Sequence, residues 1–515
     1  MALTWYVLFD WDGDGSFAHD EAARVMALRV ERGRTGPWAE FSVGKCVLTL
    51  ENNDRRFDPW YTGSPLTGKV LPRRRCWVQV SRDQDWDGVA IIDFSLTVDG
   101  TDALAWDSVA GDKLIYADGW NVFYGSIEDI EPMGGIGKRT VTITLYDGLR
   151  DMKEAVAPDI ALQTNITEGA ALALLLDAMG WPAGSERRDL EAGDTLSYWW
   201  TTGEKTAREE ASDLVASEQG ALFITTAGRV KFLARGTYWT AVPVWNLDQA
   251  WIGDIRLASP WTLIYNQVRL RCFPAALGSE ITLWTLRDTT VYVPAGGSVV
   301  VFAEFTNSNG ARCAASGVIT PVATTDYTAG SLPGGGWNMT TFMAVAMTAY
   351  ATEARLTISN SHATVGFYVL TLKARGLALD QDGATLAGED AASQTTYGLR
   401  VLSLDAPWRQ NLSGAQDIVD FLVGFYAEPH PLVEAPLVNV FPDMLQYELC
   451  DKLVLTVGAY SINGTYRVGG FSLQTGATMQ DLKGVLSLEP ADNLSYWLLG
   501  TVGYGELGTT TRLGV

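Results

Sequence analysis

Asp10, Asp12, Asp14 and Glu21 stand at the spacing used to hold an oxygen-coordinated divalent cation. With Gly15 they fit the pattern D-x-D-x-D-G-x5-E at every position. Ca2+ takes about six to eight oxygens, and a glycine at the sixth position allows the sharp turn that aims the carboxylates inward. The carbonyl of Ser16 would be a further ligand. Four carboxylates packed together repel one another, and a divalent cation would relieve that repulsion. The residues in front, Leu3 to Phe9, read as a strand and not as an entering helix, so the competing expectation is an acidic, glycine-rich connection between strands. If metal binds anywhere, it is Ca2+ at Asp10, Asp12, Asp14, Ser16 and Glu21, pinning a loop and serving no catalysis; no other cofactor is expected.

The search for catalytic groups yields little. The three histidines are His19, His362 and His430; none lies in HExxH and none pairs with another at metal-ligand spacing. Neither G-x-S-x-G nor a phosphate-binding G-x-x-x-x-G-K-[ST] is present. His430 sits between Pro429 and Pro431, which suggests a rigid turn. Carboxylate pairs such as Glu209 with Glu210, or Asp85 with Asp87, are commonplace in an acidic chain, and glycoside hydrolysis needs two carboxyls at a set distance across a cleft. The basic triplet Arg73 to Arg75 reads first as a solvated turn, next as an ion-pair partner for another subunit, and last as a nucleic-acid patch. The expectation is that the chain is not an enzyme.

The whole chain sets the frame for these residues. Its 515 residues suggest three or four domains at about 150 residues each. With 47% hydrophobic and 19% charged residues it buries sizeable cores. Nineteen Trp, 19 Tyr and 17 Phe favour strands and interfaces. The formal net charge of -22 repels a phosphate backbone, so sequence-specific nucleic-acid binding is not expected. That charge serves solubility, or a wall past which a polyanion slides without sticking. Cys46, Cys76, Cys272, Cys313 and Cys450 are odd in number, widely spaced and without CxxC, which reads as reduced thiols in a chain folded in a cytoplasm. The N-terminus lacks a basic, apolar signal pattern, and no apolar run is long enough for a transmembrane helix.

The elements follow from periodicity. Alternating, β-branched runs at Lys45 to Leu50, Cys76 to Val80 and Arg139 to Leu145, punctuated by turn residues, predict a barrel or sandwich up to about residue 150. Then the pattern changes. A helix is expected from Thr167, as N-cap, to Met179, with Gly180 as its stop; a second runs from Lys205 to Glu218. A hairpin pairs Ala221 to Thr225 with Arg229 to Leu233. Strands return in 278–375, including Ser298 to Phe305 and Gly366 to Lys373, as one β-sandwich. A helix from Gly414 to Tyr426 precedes strands at Lys452 to Val457, Gly464 to Val468 and Leu482 to Leu488.

The segment from Gly44 to Pro59, then Ser64 to Gly68 and Leu71 to Arg73, resembles the opening domain of tail-tip proteins of long-tailed bacteriophages, the minor tail proteins related to baseplate hubs. It combines a strand, an N-x-D-x-R-F-D-P turn at Asn52 to Pro59 and an S-P-x-x-G turn. Val30 to Arg34 and Val122 to Ile130 fit the same pattern. Ala170 to Trp181 and Glu204 to Phe232 resemble the hub's helix-helix-hairpin domain. Glu389 to Asp405 resembles the entry to a second barrel, Cys450 to Pro490 its closing strands, and Tyr496 to Gly500 with Leu507 to Gly514 the tail of many actinobacterial phage proteins.

The resemblance implies a mainly β chain with an α+β module: two hub-type β-barrels plus an inserted β-sandwich. The first barrel domain would be 1–158, carrying the acidic loop and a long insertion near 83–121. The α+β domain would be 159–245, the second barrel 246–277 with 377–490, the inserted sandwich 278–376, and the C-terminal extension 491–515. The family implies a homotrimer whose two barrels per subunit form a pseudo-sixfold ring, adapting a sixfold tail to a threefold tip around the path of tape measure and DNA. The partners expected are itself, distal tail and other tail-tip proteins and the tape-measure protein, in the tail tip of a virion assembled in the host cytoplasm. The alternative is a tail-tip adhesin that binds host cell-wall glycan, since the sandwich carries Trp284 and Trp337, and exposed aromatics stack on sugars. A cell-wall-cleaving enzyme is a third reading, without a nucleophile-base or metal constellation to support it.

Overall fold

The computed structural model describes residues 3–82, 119–134, 138–258, 261–287, 291–438, 445–460, 462–476 and 478–491. All but the last three residues of the expected 83–121 insertion, and all but Ala491 of the C-terminal extension, lie outside them.

The chain is mainly β with an α+β module, as its periodicities predict. Alternation builds the largest sheet. In Lys45–Glu51 every second residue, Cys46, Leu48 and Leu50, is buried, and its partner Arg139–Tyr146 buries Val141, Ile143 and Leu145. Leu3–Phe9 pairs with Arg75–Arg82, which pairs with Gly119–Gly134, which pairs with Arg139–Tyr146. Val25–Gly33 flanks Lys45–Glu51 on its other side.

The two halves of the chain do not form separate cylinders. Val25–Gly33 pairs antiparallel with Ile462–Thr475, which continues through Leu482–Pro490 and Leu432–Leu437 to Arg256–Ala258. The result is one thirteen-stranded sheet, and among the described residues no sheet closes. The junction depends on close backbone approach. Gly33 has φ +134°, and a Cβ there would fall 2.4 Å from the Cα of Gly470, its strand partner. One contiguous core follows the sheet from Val7 and Phe57 to Leu473 and Leu486.

Six helices are described: α1 (Leu149–Glu154), α2 (Glu168–Ala178), α3 (Ala207–Glu218), α4 (Arg235–Thr240), α5 (Ala391–Tyr397) and α6 (Leu412–Tyr426). None is long and apolar enough to cross a membrane. Thr167 caps α2 as expected, accepting the N–H of Ala170. Helix α3 starts two residues later than its pattern predicts, because Thr206 and Glu209 close a reciprocal capping box. With the hairpin Ala221–Ile224 and Val230–Leu233 these helices enclose a second core around Leu175, Trp199 and Leu214, which Trp408 enters from the second half.

A third core belongs to the residues between 275 and 381. Strands Ala275–Thr285 and Phe367–Gln381 pair from Ala275 against Gln381 onward, so this unit enters and leaves through one antiparallel ribbon. A three-stranded sheet, Ser298–Glu304, Met343–Ala349 and Glu353–Asn360, packs on a six-stranded one over Leu283, Phe305, Leu356 and Phe367. All five cysteines are free, and burial pushes the Cys450 thiol up to about 12.

Candidate functional site

The acidic loop leaves the strand Leu3–Phe9 beyond the stacked rings of Phe9 and Trp11, whose centroids are 4.4 Å apart. Its five predicted ligands go to different partners. Asp10 is buried and accepts the backbone N–H groups of Gly13, Asp14 and Gly15, at 2.6, 3.1 and 3.1 Å, as an aspartate closing its own turn does. Asp12 points outward to Lys69 and to His19 Nε2 at 3.0 Å, and these two hold its carboxyl below the usual range. Asp14 accepts the N–H of Ser16, 2.8 Å away, so these two meet each other. Glu21 is buried and turned away, forked against Arg56 at 2.7 to 3.2 Å. Among the described residues no three His, Cys, Asp or Glu side chains converge as a metal-holding group.

Every histidine has a local structural task. His19 pairs with Asp12; His362 Nδ1 accepts the N–H groups of Thr364 and Val365; His430 Nε2 lies 2.7 Å from the Phe425 carbonyl and stacks on the Phe425 ring. The basic triplet divides. Arg73 pairs with Asp151 and Glu154 of α1, Arg74 lies against Gly13 of the acidic loop, and Arg75 reaches the Tyr124 hydroxyl at 3.4 Å.

The turns that carry the sequence resemblance lie at the surface and are anchored through four buried residues, Asn52, Phe57, Ser64 and Leu66. Asn52 accepts the N–H of Phe57, whose ring is fully buried. Ser64 donates to the Arg56 carbonyl and accepts the N–H of Leu66. Backbone turns follow at three-residue steps, Asn52 to Arg55, Arg55 to Asp58, Asp58 to Tyr61, Tyr61 to Ser64 and Ser64 to Thr67. Motif residues thus act as scaffold, with Asn52 and Ser64 satisfying backbone groups of the turns.

The seam between the halves carries a buried network of charges. Arg34 forks onto Glu489 and donates to the Tyr238 hydroxyl, 2.5 Å away. Burial opposes its charge, but Tyr238 and Glu489 outweigh that and raise its pKa, so it stays a cation. Arg32 donates to the Ile224 carbonyl and to Glu448, whose other oxygen accepts the N–H of Thr226. Arg467 and Lys452 donate to the carbonyls of Tyr238 and Trp239 in α4, two cations at the end of a helix whose last carbonyls have no helical partner. Arg409 binds the Ser217 carbonyl, Asp194 and Glu218, tying the second half to α3. Burial, and then the adjacent Glu218 carboxyl, push Glu168 of α2 well up, so it keeps its proton at neutral pH. Sequence reasoning missed this network, because its members come from distant segments and each looks alone like an ordinary surface charge.

With this geometry in place, comparison with solved structures is informative about likeness. Among the solved structures it is similar to are tail proteins. One is the 43 kDa tail protein of prophage MuSo2 from Shewanella oneidensis, with 10% identity over 95% of this chain and 99% of that one, at a TM-score of 0.48. Another is a tail protein from Neisseria meningitidis MC58, with 9% identity over 95% and 96% and a TM-score of 0.49. A third is a prophage tail protein from Listeria monocytogenes EGD-e, with 6% identity over 94% of both chains and a TM-score of 0.41. No protein-family model and no curated protein matches the sequence.

Proposed function

We propose that the chain is a structural, non-catalytic subunit of a bacteriophage tail tip. Three copies close a hub-like ring that adapts the sixfold tail to a threefold tip and surrounds the path of tape measure and DNA. The observation that carries this reading is the seam. Gly33 against Gly470 joins the two β halves into one sheet, and Arg34, Arg467 and Glu489 lock the joint from inside. A ring subunit that must hold a fixed angle between two similar halves needs such a body. The turns that resemble tail-tip proteins act as scaffold, and the histidines are engaged locally, which supports a building role. Exposed large apolar groups, Trp60 at 79%, Val242 at 75% and Trp261 at 62%, suit further contacts with tail proteins. The net charge of -22 suits the wall of a passage for a polyanion. The domain division proposed is the one the sequence suggests, with the two hub-type barrel domains as open halves of one shared sheet, beside an α+β domain and an inserted sandwich. Mass measurement of native tails tests the ring: three copies per tail are expected, and six or one would exclude it.

A second reading, a tail-tip adhesin for host cell-wall glycan, is favoured by one feature of the insert. Trp337 is 57% exposed and stands edge-on to Phe342 and His362, at 6.2 and 5.8 Å between ring centres. Trp284 instead packs against the insert's core. Binding of the full chain to host wall polysaccharide, lost in Trp337→Ala, would support it; no binding by the wild type removes it.

A further inference from the structure

A cleft of about 300 Å³ opens where the first β half meets the helical module. Arg75 and Tyr124 come from the sheet, Arg73 from the turn before it, Asp151 from α1, and Trp181 and Arg187 from the loop after α2. Its walls are fixed. Tyr124 lies on Gly228 and Trp181 on Gly148, where a Cβ would come within 2.3 and 2.2 Å of the rings. The Trp181 indole donates to the Arg187 carbonyl at 3.4 Å, so the loop carrying Arg187 is tied to the same wall.

Among the described residues two of its three guanidiniums, Arg75 and Arg187, form no close ion pair. Arg73 is engaged by Asp151 and Glu154. Arg75 reaches the Tyr124 hydroxyl and acts on the Asp151 carboxylate from beyond ion-pair distance, and Arg187 lies 4.8 Å from the centre of the same ring. No ion pair forms at either among the described residues, in a chain where 60 acidic residues face 38 basic ones. Three guanidiniums and the one carboxylate of Asp151 line the cleft, and Glu154, shared with Arg150, reaches Arg73 from outside it, so the cleft is net positive. That balance suits a carboxylate, which a planar guanidinium grips through paired N–H groups. Two exposed apolar side chains, Leu71 and Val156, stand close in sequence to Arg73 and Ala155 of the lining. Arginine, tyrosine and tryptophan around a charged centre are the side chains that dominate protein contacts.

We propose that this cleft receives an aspartate or glutamate side chain from a second copy of the chain, as a contact between neighbouring subunits. The acid excess of the chain makes a second copy a ready donor of carboxylates. The inference rests on the ring reading above, and the experiment separates the two. The full-length chain is sized by sedimentation over a range of concentration and salt. The variants are Arg75→Glu with Arg187→Glu, the neutral pair Arg75→Gln with Arg187→Gln, and a control, Arg269→Glu with Arg355→Glu, at exposed arginines on other strands. The expected result is salt-sensitive trimerisation of the wild type, weakened tenfold or more by the reversal pair and less by the neutral pair, with the control within twofold. Unchanged unfolding midpoints show that the variants are folded; the neutral pair decides if the reversal pair is not. Wild-type association in both cleft variants overturns the cleft as a contact and leaves the ring standing. A wild type that stays monomeric, with a tail copy number other than three, overturns both.

Discussion

The seam and the insert are built on opposite plans. The seam joins segments from the two ends of the chain through a glycine-to-glycine approach, and buried arginines knit it to α4. The insert has its own core, enters and leaves through one ribbon, keeps its ion pair of Asp326 with Arg375 to itself, and touches the helical module through the exposed pair of Arg312 with Glu204. A buried charge pair adds little net stability but is costly to break, so it fixes one arrangement against others. The seam therefore behaves as a specificity device and the insert as an independently stabilised appendage. Substitutions at the first should damage the whole body, and changes in the second should stay local.

The largest effect is expected from Glu489→Ala. It leaves Arg34 buried with only the Tyr238 hydroxyl, and the loss should be about 3–5 kcal/mol, read from the urea midpoint. Loss under about 1 kcal/mol would mean that the seam is not held by this pair. Next comes Gly33→Val, which puts side-chain atoms into Gly470 at a positive φ. A cost of roughly 3 kcal/mol is expected, with broken pairing between Val25–Gly33 and Ile462–Thr475 visible by amide exchange.

A smaller effect sharpens the contrast within the helical module. Burial pushes Glu210 of α3 up to about 7. A raised carboxyl contributes stability that is fully present below its unfolded value, near 4.5, and is lost as pH rises through about 7. Glu210→Gln should flatten that slope and gain on the order of 1 kcal/mol at pH 8, after allowance for solvent screening. Thermal melts between pH 5 and pH 8 measure it, and an unchanged slope would contradict the assignment. The smallest effect should follow removal of residues 278–376 with rejoining through a short turn. The ends are already paired strands, so the urea midpoint of the remaining body should move by no more than about 0.5 kcal/mol. Collapse of the whole body would show that the insert is part of the fold's foundation.

Local structure was legible wherever the deciding groups are neighbours in sequence. The alternation of Lys45–Glu51, the cap at Thr167 and the hairpin after Ala221 each follow from a few adjacent residues. Thr206 and Glu209 spelled a capping box that a reading started at Lys205 passed over. The acidic loop shows the opposite case. Its spacing matches a calcium loop at every position, yet Glu21 meets Arg56, thirty-five residues away, and Asp10 turns onto its own backbone. Spacing along the chain fixes what a loop could gather, while the loop's own N–H groups and cations from elsewhere decide what each carboxylate meets. The seam was illegible for the same reason. Gly33 sits in a segment that resembles tail-tip proteins, but nothing near it in sequence announces Gly470 or Glu489.

Amide hydrogen exchange on the intact chain tests most directly the claim that the two halves are one body. Protection in Val25–Gly33 and Ile462–Thr475 should be lost together, in the slowest opening event, while Ser298–Glu304 and Glu353–Asn360 of the insert open separately. Independent opening of the two seam strands, or opening of seam and insert in a single step, would contradict it.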